Sequence, residues 1–238
     1  MQNKADNTQG PVQQFLTSKS AEEVNEVQSF WITNMLLVEA LPVVFYELST
    51  RQDIDFMDLA GQIVLDKPVE KGPVTKSIQN NAEPGLRAIK AHLMWRMGFT
   101  GQGRLVMNID SGVNGNHRAL SDRWRGNHVP SNHAWYGAGT FPSDCDNLNN
   151  HGTHTMGTMA GRDPITFDTI GVAPDAEWIA AGTVGCGGST VGAFQWALNP
   201  DGDPNTIVDM PDAIGNSWRD PGGGDCASNI YQSSINAL

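Results

Sequence analysis

The largely apolar run Leu105-Val106-Met107-Asn108-Ile109 stops abruptly at Asp110-Ser111-Gly112, and this change from strand core to carboxylate and glycine most limits the folds open to the chain. A second run, Trp178-Ile179-Ala180-Ala181, follows after glycine-rich loops and helical stretches. Strand cores that alternate with helical segments predict an α/β fold, a parallel β-sheet flanked by helices. Open sheets of this kind gather functional groups at the carboxyl ends of their strands, which makes Asp110 a candidate. An Asp at a strand end also caps turns, so position alone does not decide its role.

Upstream the pattern differs. Ser20 is a suitable N-cap for a helix over residues 22–27, and Gln28-Ser29-Phe30-Trp31-Ile32 continues as a strand. Met35-Leu36-Leu37-Val38-Glu39-Ala40 reads as a buried strand, and residues 43–48 as a helix with Pro42 in its first turn. Residues 61–66 supply a last strand and residues 12–16 a first one, which predicts a small split βαβ, α+β domain over residues 1–68. Residues 69–83 are rich in Lys, Gly, Pro, Asn and Ser with little apolar periodicity, the composition of an exposed linker. Residues 84–238 form the second, α/β part.

The formal charge of -11 argues against nucleic acid, whose binding rests on Lys and Arg neutralising phosphates. An acidic surface does attract cations such as calcium. No stretch reaches the roughly 20 apolar residues needed to cross a bilayer, and no membrane partner is expected. The first residues lack the apolar core of a signal peptide. Cys145, Cys186 and Cys226 are too scattered for a disulfide-rich scaffold or a paired zinc site. They admit one bridge with one thiol left over, or three thiols without chemistry.

Further along lies Asn149-Asn150-His151-Gly152-Thr153-His154-Thr155-Met156-Gly157-Thr158-Met159-Ala160-Gly161, whose small residues recur as a closely packed helix requires. His151 falls at the helix start. There a carboxylate can accept from Nδ1 and fix the tautomer, while Nε2 stays free to take a proton from a nucleophile. His154 is expected to be buried and structural, one turn deeper.

Together, Asp110-Ser111-Gly112 and His151-Gly152-Thr153-His154-x-x-Gly157-Thr158-x-Ala160-Gly161 resemble the subtilisin-like (subtilase) serine peptidases, with spacing most similar to the bacillopeptidase F-like branch. Gly171-Val172-Ala173-Pro174-Asp175-Ala176 and Asp212-Ala213-Ile214-Gly215-Asn216-Ser217-Trp218 extend the resemblance. The family's chain order is Asp, His, Ser, which implies Asp110 as orienting acid and His151 as general base. The resemblance also implies that Ser217, Trp218 and Arg219 pair with extended substrate backbone, and that Gly187 and Gly188 lie along its other side. Arg219 stands where the family usually has glycine, at a place where a side chain crowds the pocket or recruits an acidic substrate residue.

The family's Gly-Thr-Ser-x-Ala nucleophile stretch does not occur before Leu238, and Asn216 is not its oxyanion-stabilising Asn. Ser189, Ser228, Ser233 and Ser234 lack the required context and are expected to be structural. The chain is therefore expected to be a C-terminally incomplete serine endopeptidase, inactive as an isolated fragment. Its N-terminal segment resembles the family's inhibitory propeptide, which implies an intramolecular inhibitor with its cleavage point in the linker, residues 69–83. A polypeptide substrate, an extracellular location, no cofactor for the chemistry and room for a structural calcium ion follow from the same resemblance. Alternatives are an inactive peptidase-like binding module and a metal-dependent hydrolase using His151 and His154; zinc helices, however, place ligands four apart with a glutamate between.

Overall fold

In the computed structural model, residues 2–61, 63–66, 82–147, 149–221 and 230–237 are described. They divide into two compact units, Met1–Gln62 with Pro221–Leu238, and Ile63–Asp220. The expected linker, residues 69–83, lies outside the described residues except for Ala82 and Glu83.

In the first unit, α1 (Gln2–Thr17) buries Ala5, Gln9, Val12 and Leu16 along one stripe. This replaces the strand expected over residues 12–16. Val12 and Leu16 stand four apart, the spacing of one helical face, and Pro11 is accommodated inside the helix instead of ending it. The hairpin of β1 (Val24–Phe30) and β2 (Met35–Ala40) is antiparallel, running from Val24 opposite Ala40 to Phe30 opposite Met35. The helix expected over residues 22–27 is thus a turn and a strand. The capping chemistry of Ser20 and Glu23 is present, with Ser20 N–H and Oγ–H both donating to Glu23 Oε2. It closes a turn in which the Glu23 and Val24 amides bond back to Ser20 O, and no helix follows.

A register shift between Val24 and Glu26 decides how the hairpin packs. Without it, Val24 and Val27 would face opposite sides of the sheet; the extra residue brings both to the face of Leu36, Val38 and Ala40. That face covers α1 and α2 (Pro42–Ser49), whose Val12, Leu16, Val44 and Leu48 form the core, with Phe15 and Ile54 packed alongside. The α2 helix opens on proline, as its sequence predicts.

The second unit begins with β3 (Val64–Leu65), a piece of the strand expected over residues 61–66. Its partner is not in the N-terminal domain. It pairs antiparallel with β8 (Trp218–Arg219) at the other end of this unit, because a two-residue strand takes its hydrogen bonds from whichever edge is offered. Short helices α3 (Pro84–Ala88) and α4 (Ala91–Arg96) lead to β4 (Leu105–Asp110), which is buried along its whole length. With β5 (Trp135–Tyr136), β6 (Glu177–Gly182) and β7 (Ala213–Asn216) it forms a parallel sheet in the order β5-β6-β4-β7. The helices α5 (His151–Ala160) and α6 (Thr190–Ala197) flank it, and β8 follows β7 directly. This is the α/β architecture that the alternating strand cores predict.

Met107, Ile109, Met156 and Ile179 are all 0% exposed, and burying such side chains stabilises by roughly 1.5–3 kcal/mol each. Trp178 adds an anchor of a different kind, because its buried Nε1–H donates to Leu120 O at 2.8 Å. The final helix α7 (Ile230–Ile235) groups with the first unit.

Candidate active site

Two glycines explain why the end of β4 and the start of α5 meet. Gly112 has φ +92°, and a Cβ there would lie 2.0 Å from Ser143 O; a Cβ on Gly152 would lie 2.0 Å from Gly112 O. Only bare backbone fits at either position, Gly112 against Ser143 and Gly152 against Gly112. It brings His151, the first residue of α5, beside Asp110, the last of β4.

His151 Nδ1 lies 2.7 Å from Asp110 Oδ1. The carboxylate is 0% exposed and the imidazole 5%. Asp110 Oδ1 also accepts the Ser111 amide at 2.7 Å. Asn108, the polar residue in the otherwise apolar part of β4, donates from Nδ2 to Gly152 O at 3.0 Å and to Thr155 Oγ1 at 2.9 Å. The Thr155 hydroxyl in turn lies within donating distance of Gly152 O, at 3.1 Å, and of Asp110 Oδ2, at 3.3 Å. A buried carboxylate held by this many donors is fixed in orientation.

A second layer clamps the helix to the strand. Ser111 Oγ accepts the Gly152 amide at 3.0 Å and donates to Asp144 Oδ1 at 2.8 Å. Asp144 Oδ2 accepts the Thr153 amide at 2.8 Å and its hydroxyl at 2.6 Å, placing a negative charge at the N-terminus of α5, where the helix dipole favours it. The neighbouring Cys145 donates its amide to Ser111 O and is disulfide-bonded to Cys186, in the loop after β6. One bridge therefore forms; Cys226 lies outside the described residues. The Asp-Ser-Gly and His-Gly-Thr-His motifs contain Ser111, Thr153 and Gly152, but nothing in the sequence marks Asp144 or Asn108 as their partners.

The other imidazole nitrogen meets residues 63–66. Val64 pairs with Arg219 and Leu65 with Trp218, and the Asp66 amide donates to Ser217 O at 3.2 Å. This seats Asp66 O at 3.1 Å from His151 Nε2. A carboxylate on one side of the ring and a carbonyl on the other are both acceptors, and only the imidazolium donates to both. The His151 pKa is raised accordingly: burial pushes it down, but the bonds to Asp110 and to the Asp66 carbonyl, with the charges of Asp110 and Asp146, outweigh burial.

The structure thus joins Asp110, His151, Ser217, Trp218 and Arg219 around one extended segment. Trp218 is anchored by its Nε1–H to Ile109 O at 2.9 Å. Gly187 and Gly188 sit between Cys186 and α6, and among the described residues they make no hydrogen bond to residues 63–66. Ser189 accepts the Gly192 amide and caps α6, a structural role as expected. His154 is exposed, not buried as its spacing predicts, because the turn of α5 that carries it faces away from the sheet. With both nitrogens of His151 engaged and His154 in solvent, the two histidines do not form a ligand pair. Among the described residues no group of three His, Cys, Asp or Glu is placed to hold a metal ion.

The subtilase family model, Peptidase_S8, matches residues 101–237, which include every part of this pair. The chain belongs to the subtilase family. Bacillopeptidase F of Bacillus subtilis (strain 168) is 32% identical over 98% of this chain and 17% of its own length. Subtilisin E of the same organism is 28% identical over 71% of this chain and 41% of its own. The chain therefore spans less than half the length of either of these subtilases. A crystal structure of MycP1 from Mycobacterium smegmatis overlaps 75% of this chain and 37% of that one at 22% identity, with a TM-score of 0.29.

Proposed function

We propose that the protein to which these residues belong is a serine endopeptidase, in which Asp110 orients His151 and stabilises the imidazolium, and His151 takes the proton of a serine nucleophile. One observation carries this reading: a peptide carbonyl, Asp66 O, is delivered 3.1 Å from the ring nitrogen opposite the buried carboxylate. The strand pairing with Ser217–Arg219 gives a polypeptide substrate affinity through its backbone, with little demand on sequence.

Among the described residues the partner of His151 Nε2 is this carbonyl and not a serine hydroxyl, which supports a nucleophile supplied from outside them. Serine and histidine act as one unit, so without that serine turnover falls by about 10⁶-fold. In the same reading, residues 63–66 occupy the place of substrate and hold His151 protonated, a state that cannot accept a proton. The N-terminal region then acts as an intramolecular inhibitor whose tail fills the cleft until cleaved. The disulfide favours an oxidising, extracellular setting.

The test is the product of the full reading frame, assayed on casein and with a serine-directed phosphonate. Hydrolysis blocked by the phosphonate, and reduced by at least ~10⁴-fold in His151→Ala, is the expected result. Activity that survives His151→Ala would remove the mechanism.

A further inference from the structure

The backbone of residues 63–66 explains how any peptide could lie in the cleft, but the side chain of Asp66 does something more selective. Asp66 is the residue whose carbonyl faces His151, so in the serine-peptidase reading it occupies the position just before the scissile bond. Its Oδ1 accepts from Arg219 Nε at 2.9 Å. Arg219 lies opposite Val64 in the ladder, two residues away from Asp66 along the strand. Long side chains bridge such diagonal neighbours, and the planar guanidinium is suited to a carboxylate. The cation thus stands on the strand that binds the peptide backbone, where its position relative to that residue is set by the ladder register.

We propose that Arg219 is a specificity-determining residue that selects Asp or Glu immediately before the scissile bond, with the bond following Asp66 as the chain's own cleavage point. This rests on the serine-peptidase reading and adds a substrate class to it. The side chains of Arg219 and Asp66 are 65% and 54% exposed, so water screens the attraction. Exposed pairs of this type correspond to a preference of about two- to fivefold for acid over alanine, and about tenfold over lysine, where attraction turns to repulsion; both shrink with salt.

The experiment compares kcat/KM of the full-length enzyme on peptides that differ only in having Asp, Glu, Ala or Lys at that position, for wild type, Arg219→Gly and Arg219→Glu. The expected order is acid over alanine over lysine in wild type, flattened by Arg219→Gly and inverted by Arg219→Glu. An enzyme that reacts with the phosphonate yet cleaves Asp and Lys peptides equally, or keeps its ratio in Arg219→Glu, overturns the proposal while sparing the peptidase reading. If the phosphonate does not react, the peptidase reading fails instead, and the contact is judged in the 238-residue chain by protection of the Asp66 amide from hydrogen exchange. Loss of protection in Asp66→Lys and in Arg219→Glu, restored in the double variant, supports selection by charge. Protection unchanged in the single variants, or not restored in the double, overturns it.

Discussion

The two units reach stability by different routes. In the first, the elements that build the described core are neighbours in sequence: β1 pairs with β2 across a short turn, and four buried residues of α1 and α2 close the core. In the second, β4 takes its partners from β6 and β7, far along the chain, and the contact that matters most is polar and backbone-tight. Apolar cores tolerate approximate shapes, whereas buried hydrogen-bond networks fail as a whole when one member moves. The first unit is therefore a packing problem and the second a positioning problem.

Gly152→Ala should separate them most clearly. A methyl group 2.0 Å from Gly112 O forces the helix start away from β4, and we expect a loss of about 3 kcal/mol confined to the second unit. Amide exchange in β4 should accelerate while that in β1 and β2 does not; uniform acceleration would mean the units share one cooperative transition. Leu16→Ala should do the converse at a somewhat smaller cost, about 2 kcal/mol, since it empties one side chain of a core that Phe15 and Ile54 flank. Its effect is read as faster exchange in the hairpin, with the His151 imidazole signals unshifted.

The smallest expected effect is that of pH on the docked segment. His151 has a raised pKa in the docked state, so docking binds a proton; its contribution is complete below the ordinary value of 6.5 and is lost as pH rises through the raised one. Protection of the Asp66 amide, corrected for intrinsic exchange, should fall over that interval in wild type and stay flat in His151→Ala. A protection that grows with pH would show that the neutral ring, not the imidazolium, faces the carbonyl.

The two motifs singled out Asp110 and His151, which the fold brings into contact, and Gly152 is dictated by the same approach of α5 to β4. Misreadings fell where local signals serve more than one structure. Ser20 and Glu23 carry a helix-capping pair that closes a turn. Residues 12–16 are short and apolar enough for a strand, yet Val12 and Leu16 are buried on one face of a helix. His154 follows the period of α5 but lies on its outer side, and no periodicity says how far a neighbour's cover extends. Asp144 and Asn108 carry no motif of their own, and only the approach of the α5 start to the end of β4 gives them work.

The sequence by itself determined the strand cores and the α/β class, because burial demands particular residue types, and its motifs singled out Asp110 and His151, which the fold brings together. It also showed Arg219 in place of a glycine. Only the tertiary structure decided what Arg219 meets and which residue's carbonyl reaches His151. A two-residue strand has no pattern that names its partner: backbone hydrogen bonds are the same for every sequence, so register and neighbour are fixed by the fold that surrounds them.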